Sequence, residues 1–578
     1  MKDRAVFFSF FRPYRAQIAV GTVCVLLSTG ISLIAPSVVG QAIDDLKRGV
    51  SSLTVLRFGG LILLISAVSG IFLYFQRRIL IGVSRDMEFD IRNDFFDHLT
   101  KLPLDYYRAH RTGDLMSRAV NDLTAVRMMM GPGLMQSLNT VVTASIAIAL
   151  MVRVDGSLTL LALATLPLTA VSTKIVGQKI HVLFERVQEY FSEMSARAQE
   201  NFAGARLVRA FTRERSEIGL FRAANHEYMQ RNRRIIKVSA LFYPLLQTLV
   251  GLSFVLVLWR GGRLVLSGRI TVGKFVEFNL YLVEMVWPMI ALGWVVNLLQ
   301  RGAASWNRMR EIRDAEPSIR DVPPLVTGFS PRGEIEFRRL SYSSGGARIL
   351  SEIDLKIRAG SFVGIVGRTG SGKTTLVSLI PRLLDPPPGT LLFDGLEVHR
   401  IPLADLRREI GMVTQDTFLF SETIAGNLSY GVPDAETEAI ERAGDIAGLT
   451  PDISGFPEKW NTQIGERGIT LSGGQKQRAA IARAILRSPR ILILDDSLSA
   501  VDSETEARIQ GRLRDVVAKR TTLLIAHRLS SLRDADEIVV LDGGRIAERG
   551  SHAELVARGG LYARMWERQR LEEEVESA

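Results

Sequence analysis

Cysteine is nearly absent from this chain of 578 residues: Cys24 alone represents it, inside an apolar run. An internal disulfide and a cysteine-based metal site are therefore both excluded. A cleavable secretory signal is also missing. The first residues, MKDRAVFFSFFRPYRAQ, mix charges and aromatics and offer no small-residue cleavage site. An amphipathic helix lying on a membrane surface fits them better. Finally, the next stretch, AQIAVGTVCVLLSTGISLIAPSVVG, contains no ionised side chain. A run of that length spans a bilayer, which needs roughly 20 mostly apolar residues.

What is present divides the chain unevenly. The length implies several domains. The first 300 or so residues hold long apolar runs, and the remainder has the composition of a soluble protein. The formal net charge of +11 suits nucleic acid or an anionic membrane face. The apolar runs favour the membrane, so a lipid bilayer is the expected partner and nucleic acid is not. Six spans are predicted, at about 16–41, 54–76, 134–153, 157–177, 239–260 and 273–300. The connections after spans two and four run about 60 residues and read as helical continuations past the bilayer. They carry most of the Lys and Arg, including Arg206, Arg209, Arg213 and Arg231. Such an excess marks the cytoplasmic side, so both termini and both long loops are expected there, on a multi-pass protein of the cytoplasmic (inner) membrane. Span six contains Glu277, Glu284 and Pro288. Glu277 reads as solvated near the outer interface, and Pro288 as a kink. Glu284, about two turns deeper, is a candidate contact for a cationic substrate; the alternative is a wet cavity or a neighbouring helix.

A Pro-Pro linker ends this half. Beyond it, SFVGIVGRTGSGKTTLVSLI reads as strand, glycine loop and helix. Gly367, Arg368, Thr369, Gly370, Ser371, Gly372, Lys373, Thr374 and Thr375 fit a phosphate-binding loop. Its glycines let backbone N–H groups close around phosphate oxygens, Lys373 reaches the β- and γ-phosphates, and Thr374 ligates Mg²⁺. Downstream, LILDDSLSAVD ends an apolar strand at Asp495 and Asp496. Asp495 is the expected carboxylate toward Mg²⁺. ATP and Mg²⁺ are thus the expected cofactors. Farther back, LSGGQKQRAAIARAIL places Ser472, Gly473, Gly474 and Gln475 at another helix N-terminus suited to phosphate.

Phosphate loop, LSGGQ segment and six preceding spans together resemble an ATP-binding cassette (ABC) half-transporter of the exporter type, over essentially the whole chain. The resemblance implies a polytopic α-helical membrane domain (1–312), a linker (313–333), an α/β P-loop ATPase domain with a helical subdomain (334–570) and an acidic tail (571–578). It also implies roles. Gln415 matches the glutamine that senses Mg²⁺ and the attacking water, and His527 the histidine that contacts the γ-phosphate. Asp502 matches the loop that crosses to a partner. TQIGERG, Thr462 to Gly468, resembles the exporter-specific loop beside the signature. LPLDYYRAHRTGDLMSRAVNDL and ENFAGARLVRAFTRERSE resemble the cytoplasmic loops that dock on the cassettes.

Two positions depart from the family. A gapless match places Ser344 where the adenine-stacking tyrosine belongs; a two-residue shift assigns that role to Tyr342, and stacking tolerates small displacements. Asp496 stands where the family usually has glutamate, the general base that polarises the attacking water. One methylene fewer retracts the carboxylate by roughly 1.5 Å. The expectation is slow hydrolysis at this chain's own loop and an intact signature offered to a relative, that is, a heterodimer with one degenerate site exporting amphipathic drug-like or lipid-like molecules. The alternatives are a homodimeric exporter, a nucleotide-gated channel or regulatory subunit, and an importer of exporter-like architecture. Six spans exclude a soluble repair or translation ATPase.

Overall fold

The computed structural model describes residues 9–47, 49, 51–164, 166–465, 471–498, 503–517 and 520–577. They form two units: Met1–Thr100 with Thr112–Asp314, and Lys101–Arg111 with Ala315–Ala578.

The first unit is helical. Among the described residues, five helices are long and apolar enough to cross a membrane: Arg15–Leu46, Ser52–Lys101, Thr112–Val154, Glu214–Leu266 and Val272–Arg313. The predicted fourth span, 157–177, falls on Gly156–Ala164 and Leu166–Ala203, on either side of residue 165, which is outside the described residues. Ser52–Lys101 has 50 residues. At 1.5 Å per residue that is about 75 Å, well beyond a hydrocarbon core of about 30 Å, so the chain supplies its long extensions as continuations of the spans. The first span breaks at Leu33–Ile34, between Arg15–Ser32 and Ala35–Leu46. Pro36 lacks the N–H that a continuing helix needs. The last span runs through Pro288 as one helix. Within Thr112–Val154, two π-turns, Arg118–Asp122 and Met129–Gly133, interrupt the α-helical ladder.

The reading of Glu277 as solvated is wrong. Glu277 is 4% exposed. Lys274 Nζ lies 2.7 Å from Glu277 Oε2, and the Tyr281 hydroxyl donates to Oε1 at 3.4 Å and to the Leu33 carbonyl at 3.2 Å. A buried carboxylate survives when a cation and a donor share it. Close backbone approach buries it: a Cβ on Gly273 would lie 2.0 Å from the Gly40 carbonyl oxygen, so no side chain separates the two helices. Asp44 adds an anchor by accepting from the Gly273 N–H at 2.7 Å.

Among the described residues the second unit holds two sheets. An antiparallel one is built from β1 (Ile335–Ser344), β2 (Ala347–Ile357), β4 (Leu391–Phe393) and β5 (Leu396–Glu397), in the order β2-β1-β4-β5. The other is ordered β10-β9-β3-β8-β7-β6, from β3 (Phe362–Gly367), β6 (Ile410–Val413), β7 (Ile491–Asp495), β8 (Thr521–Ile525), β9 (Glu537–Asp542) and β10 (Arg545–Gly550). All its pairings are parallel except β10 with β9. Every residue of β7 and β8 is buried, as expected when layers cover both faces of a parallel sheet. The polar Thr521 is accommodated because its Oγ1 donates to the Gly333 carbonyl at 2.7 Å and accepts from Gly360 N–H at 2.9 Å. The short helix Leu104–Ala109 groups with this unit rather than with the spans that flank it.

Candidate nucleotide site

Parallel register assembles the site. Val413 pairs with Leu494, Asp495 with Ile525, and Ile525 with Ile365. Gln415, Asp496 and His527 therefore leave the sheet at one end, beside the loop that follows Gly367. Ligands of open α/β sheets bind beyond the carboxyl ends of the strands, which is this end.

The loop turns tightly. Gly367, Gly370 and Gly372 have φ of 153°, 82° and 95°, where side chains are strained. A Cβ on Gly367 would sit 2.1 Å from the Leu541 carbonyl oxygen. The helix Lys373–Leu379 opens immediately after Gly372. Lys373 is 8% exposed, and its ammonium donates to the carbonyls of Gly367 (2.8 Å) and Arg368 (2.9 Å). Burial pulls its pKa down, opposed by the charges of Asp495 and Asp496. A buried cation held only by carbonyls is prepared to meet phosphate oxygens.

Asp495 is 1% exposed and accepts from Thr374 Oγ1 at 3.3 Å through Oδ1, while Oδ2 is buried without a hydrogen-bond partner. Burial raises its pKa most, and Asp496 adds to this; Thr374, Lys373 and His527 pull it down. An orphaned buried carboxylate oxygen beside a threonine hydroxyl fits a hard cation. Among the described residues no group of three or more His, Cys, Asp or Glu could hold a metal by itself. Phosphate oxygens would have to complete the shell, as they do for Mg²⁺.

Asp496 has φ 48°, a left-handed conformation that aspartate tolerates better than most side chains. Its Oδ2 lies 3.7 Å from His527 Nε2, and both residues line a cavity of about 100 Å³. Gln415 is exposed just beyond β6. Two residues not singled out from the sequence belong here. Gln477 Nε2 donates to the Asp496 carbonyl at 3.4 Å, tying the signature helix to the strand end. Glu506, 6% exposed, accepts from Arg528 at 2.7 Å and from Ser531 at 2.8 Å along the cavity wall. The Gln477 spacing, five residues past Ser472 on the signature helix, is readable; the Glu506 contact depends on tertiary packing.

Tyr342 sits in β1 opposite Leu350, with register shifts on both sides of it. Such bulges displace the strand locally. Leu350 in turn packs at the phosphate loop, its Cδ2 lying 2.7 Å from where a Cβ on Gly372 would be. Burial raises the Tyr342 hydroxyl's pKa, as does the charge of Asp105.

The signature residues stand apart from these groups. Ser472 caps the helix Gly473–Leu486 in a reciprocal box with Gln475, whose side-chain amide also donates to Asp452 at 2.9 Å. Ser472 and Gly473 are exposed and Gly474 half-buried, leaving a helix N-terminus open to a ligand from outside the chain. Asp502 and residues 466–468 of the TQIGERG segment lie outside the described residues. Glu284 is in the first unit, exposed, without an ion pair or hydrogen bond among the described residues.

Comparison with known proteins agrees with this geometry. Residues 18–289 match the ABC transporter transmembrane region, and residues 350–499 match the ABC transporter family model. A probable multidrug resistance ABC transporter ATP-binding/permease protein, YheI of Bacillus subtilis (strain 168), is 38% identical over 566 residues, covering 97% of each chain. An ATP-dependent lipid A-core flippase of Syntrophus aciditrophicus (strain SB) is 35% identical over 98% of this chain and 94% of its own. The structure of a bacterial Atm1-family ABC exporter with ATP bound superposes with a TM-score of 0.78 at 29% identity, covering 96% of this chain and 98% of that one. Spans, phosphate loop and signature share one polypeptide throughout, and the chain belongs to the ABC transporter family as an exporter-type half-transporter, a multi-pass membrane protein with its own ATP-binding domain.

Proposed function

We propose that the chain exports amphipathic molecules, drug-like or lipid-like, from the cytoplasmic membrane by ATP-driven alternating access, as the degenerate-site half of a heterodimer. Both termini and the ATP-binding domain face the cytoplasm in this reading. The names of the relatives support a cargo of this class. The observation that carries the asymmetry is Asp496, a carboxylate one methylene shorter than the usual glutamate, next to Asp495, which accepts from Thr374, and near Lys373, which donates to the Gly367 carbonyl.

Lys373 would exchange its two carbonyls for β- and γ-phosphate oxygens, and Tyr342 would stack on adenine. Thr374 and Asp495 would hold Mg²⁺, with Gln415 toward it, and the ion would neutralise charge developing between the β- and γ-phosphates. Asp496 would orient water and take its proton, with His527 hydrogen-bonding the γ-phosphate. Ser472, Gly473, Gly474 and Gln475 would close on the partner's nucleotide. Gln415 and the two cytoplasmic loops would carry closure to the spans, and Glu284 would meet a cationic group of the cargo.

A homodimer is the second reading. It is favoured by the 3.7 Å separation of Asp496 Oδ2 from His527 Nε2, close enough for one water to be shared. Purifying the chain alone and reconstituting it separates the two. The heterodimer predicts weak, substrate-insensitive ATP turnover that rises on adding a partner carrying glutamate at this position. A stable homodimer with brisk, substrate-stimulated turnover overturns it.

A further inference from the structure

Helix Leu561–Ser577 of the second unit takes no part in the nucleotide chemistry described so far, yet one face of it reaches the segment that carries His527. Tyr562, Trp566 and Gln569 stand at i, i+4 and i+7 and share that face. Tyr562 is fully buried, in the same apolar cluster as Leu529 and Leu532. The Arg533 guanidinium lies 5.5 Å from the centre of the Trp566 ring. Glu548 accepts from the N–H groups of Leu561 and Tyr562 and so fixes where the helix starts. One turn beyond Trp566, the half-buried Gln569 accepts through Oε1 from the Leu529 N–H at 2.9 Å.

That N–H needs an acceptor from elsewhere. Leu529 opens the short helix Leu529–Leu532, and the first N–H groups of a helix have no carbonyl within it. Leu529 is 1% exposed, so water does not serve it either. The bond falls at a position that matters. β8 ends at Ile525, which pairs with Ile365 and accepts from the Asp496 N–H at 3.0 Å. Ala526, His527 and Arg528 then bridge from the sheet to Leu529, and His527 is the middle residue of the three. Its imidazole projects from a short bridge pinned at one end by the sheet and at the other by Gln569. Glu506 holds the same segment through the side chains of Arg528 and Ser531, whereas Gln569 holds its main chain. We propose that Gln569 is a positioning residue for His527, so that helix Leu561–Ser577 sets the rate of hydrolysis without touching the nucleotide. The inference rests on the reading of His527 as the group that hydrogen-bonds the γ-phosphate. The phosphate loop, with Lys373 and Thr374, lies outside this chain of contacts, so ATP binding is independent of it.

The test compares ATP binding with ATP turnover in the purified full chain, turnover being phosphate release above the Lys373→Ala background. Gln569→Leu keeps most of the side chain's bulk and removes the acceptor. It should lower turnover roughly tenfold, less than the 100-fold order of a full 1 Å misplacement, and leave the Kd for ATP within about twofold. Gln569→Glu keeps an oxygen at the same reach and should restore turnover. In a His527→Ala background, Gln569→Leu should have no further effect, because the glutamine acts through the histidine. Should Gln569→Leu not be recovered folded, Gln569→Asn, which withdraws the same amide by one methylene, carries the comparison. Equal losses of binding and turnover overturn the proposal, as does a Gln569→Glu variant that stays slow or a further tenfold loss in the double variant. Unchanged turnover in Gln569→Leu beside a slowed His527→Ala removes the positioning role alone. Wild-type turnover in His527→Ala removes the reading of the histidine, and the inference with it.

Discussion

Replacing Asp496 with glutamate tests the central geometry. In the present structure its carboxylate stops 3.7 Å short of His527 Nε2, at the mouth of a cavity of about 100 Å³. One added methylene extends the reach by roughly 1.5 Å into that space. If misplacement by about 1 Å costs on the order of 100-fold in rate, the variant's own site should accelerate by roughly 10- to 100-fold. This corresponds to about 1.4–2.7 kcal/mol of activation free energy. The left-handed backbone at this position, φ 48°, works in the opposite sense on stability. Glutamate lacks aspartate's short-range hydrogen bonding there and should lower stability by about 1 kcal/mol. The assay is phosphate release by the reconstituted chain, with Lys373→Ala as the background. Faster turnover with slightly lower thermal stability is the expected signature. Unchanged or slower turnover, with ATP still bound, refutes the argument from carboxylate length.

Other consequences are as direct. Thr521→Val leaves the Gly333 carbonyl and the Gly360 N–H without their shared hydroxyl and should cost about 1–3 kcal/mol in denaturant unfolding. Gly273→Ala places a methyl against the Gly40 carbonyl and should destabilise by about 1–3 kcal/mol, lowering the melting temperature in detergent. His552, whose Nδ1 lies 2.8 Å from the Tyr562 hydroxyl, has its pKa lowered from 6.5 by burial and by Arg533. Its neutral form is favoured in the fold, so its contribution is complete above pH 6.5 and is lost as pH falls through the depressed value. Thermal unfolding of wild type should therefore weaken on acidification more than that of His552→Gln.

Much of this architecture was legible in the sequence because it rests on local patterns. Apolar runs of bilayer length, the glycine spacing from Gly367 to Gly372 and the strand ending at Asp495 each depend on neighbouring residues. Glu277 was misread although its partners are local: Lys274 at i−3 and Tyr281 at i+4 share its helical face. What no local pattern reveals is the Gly40–Gly273 approach that shuts water out, because it joins residues more than 200 positions apart. The bulges around Tyr342 were equally hidden, since they arise from how β1 meets β2. The allegiance of Leu104–Ala109 to the second unit likewise depends on distant contacts.

The parallel ladder has a consequence for engineering. Gln415, Asp496 and His527 each follow a paired residue by two positions: Val413, Leu494 and Ile525. Their mutual placement is a count of residues. A single insertion between Ile491 and Asp496 would turn the strand's side chains to opposite faces and pull the two carboxylates out of phase with their neighbours. The same insertion in the connection ahead of β7 would leave the count untouched. Sequence drift and deliberate grafting should accordingly be tolerated before these strands and forbidden within them, which is a rule that sequencing of functional insertion libraries can score directly.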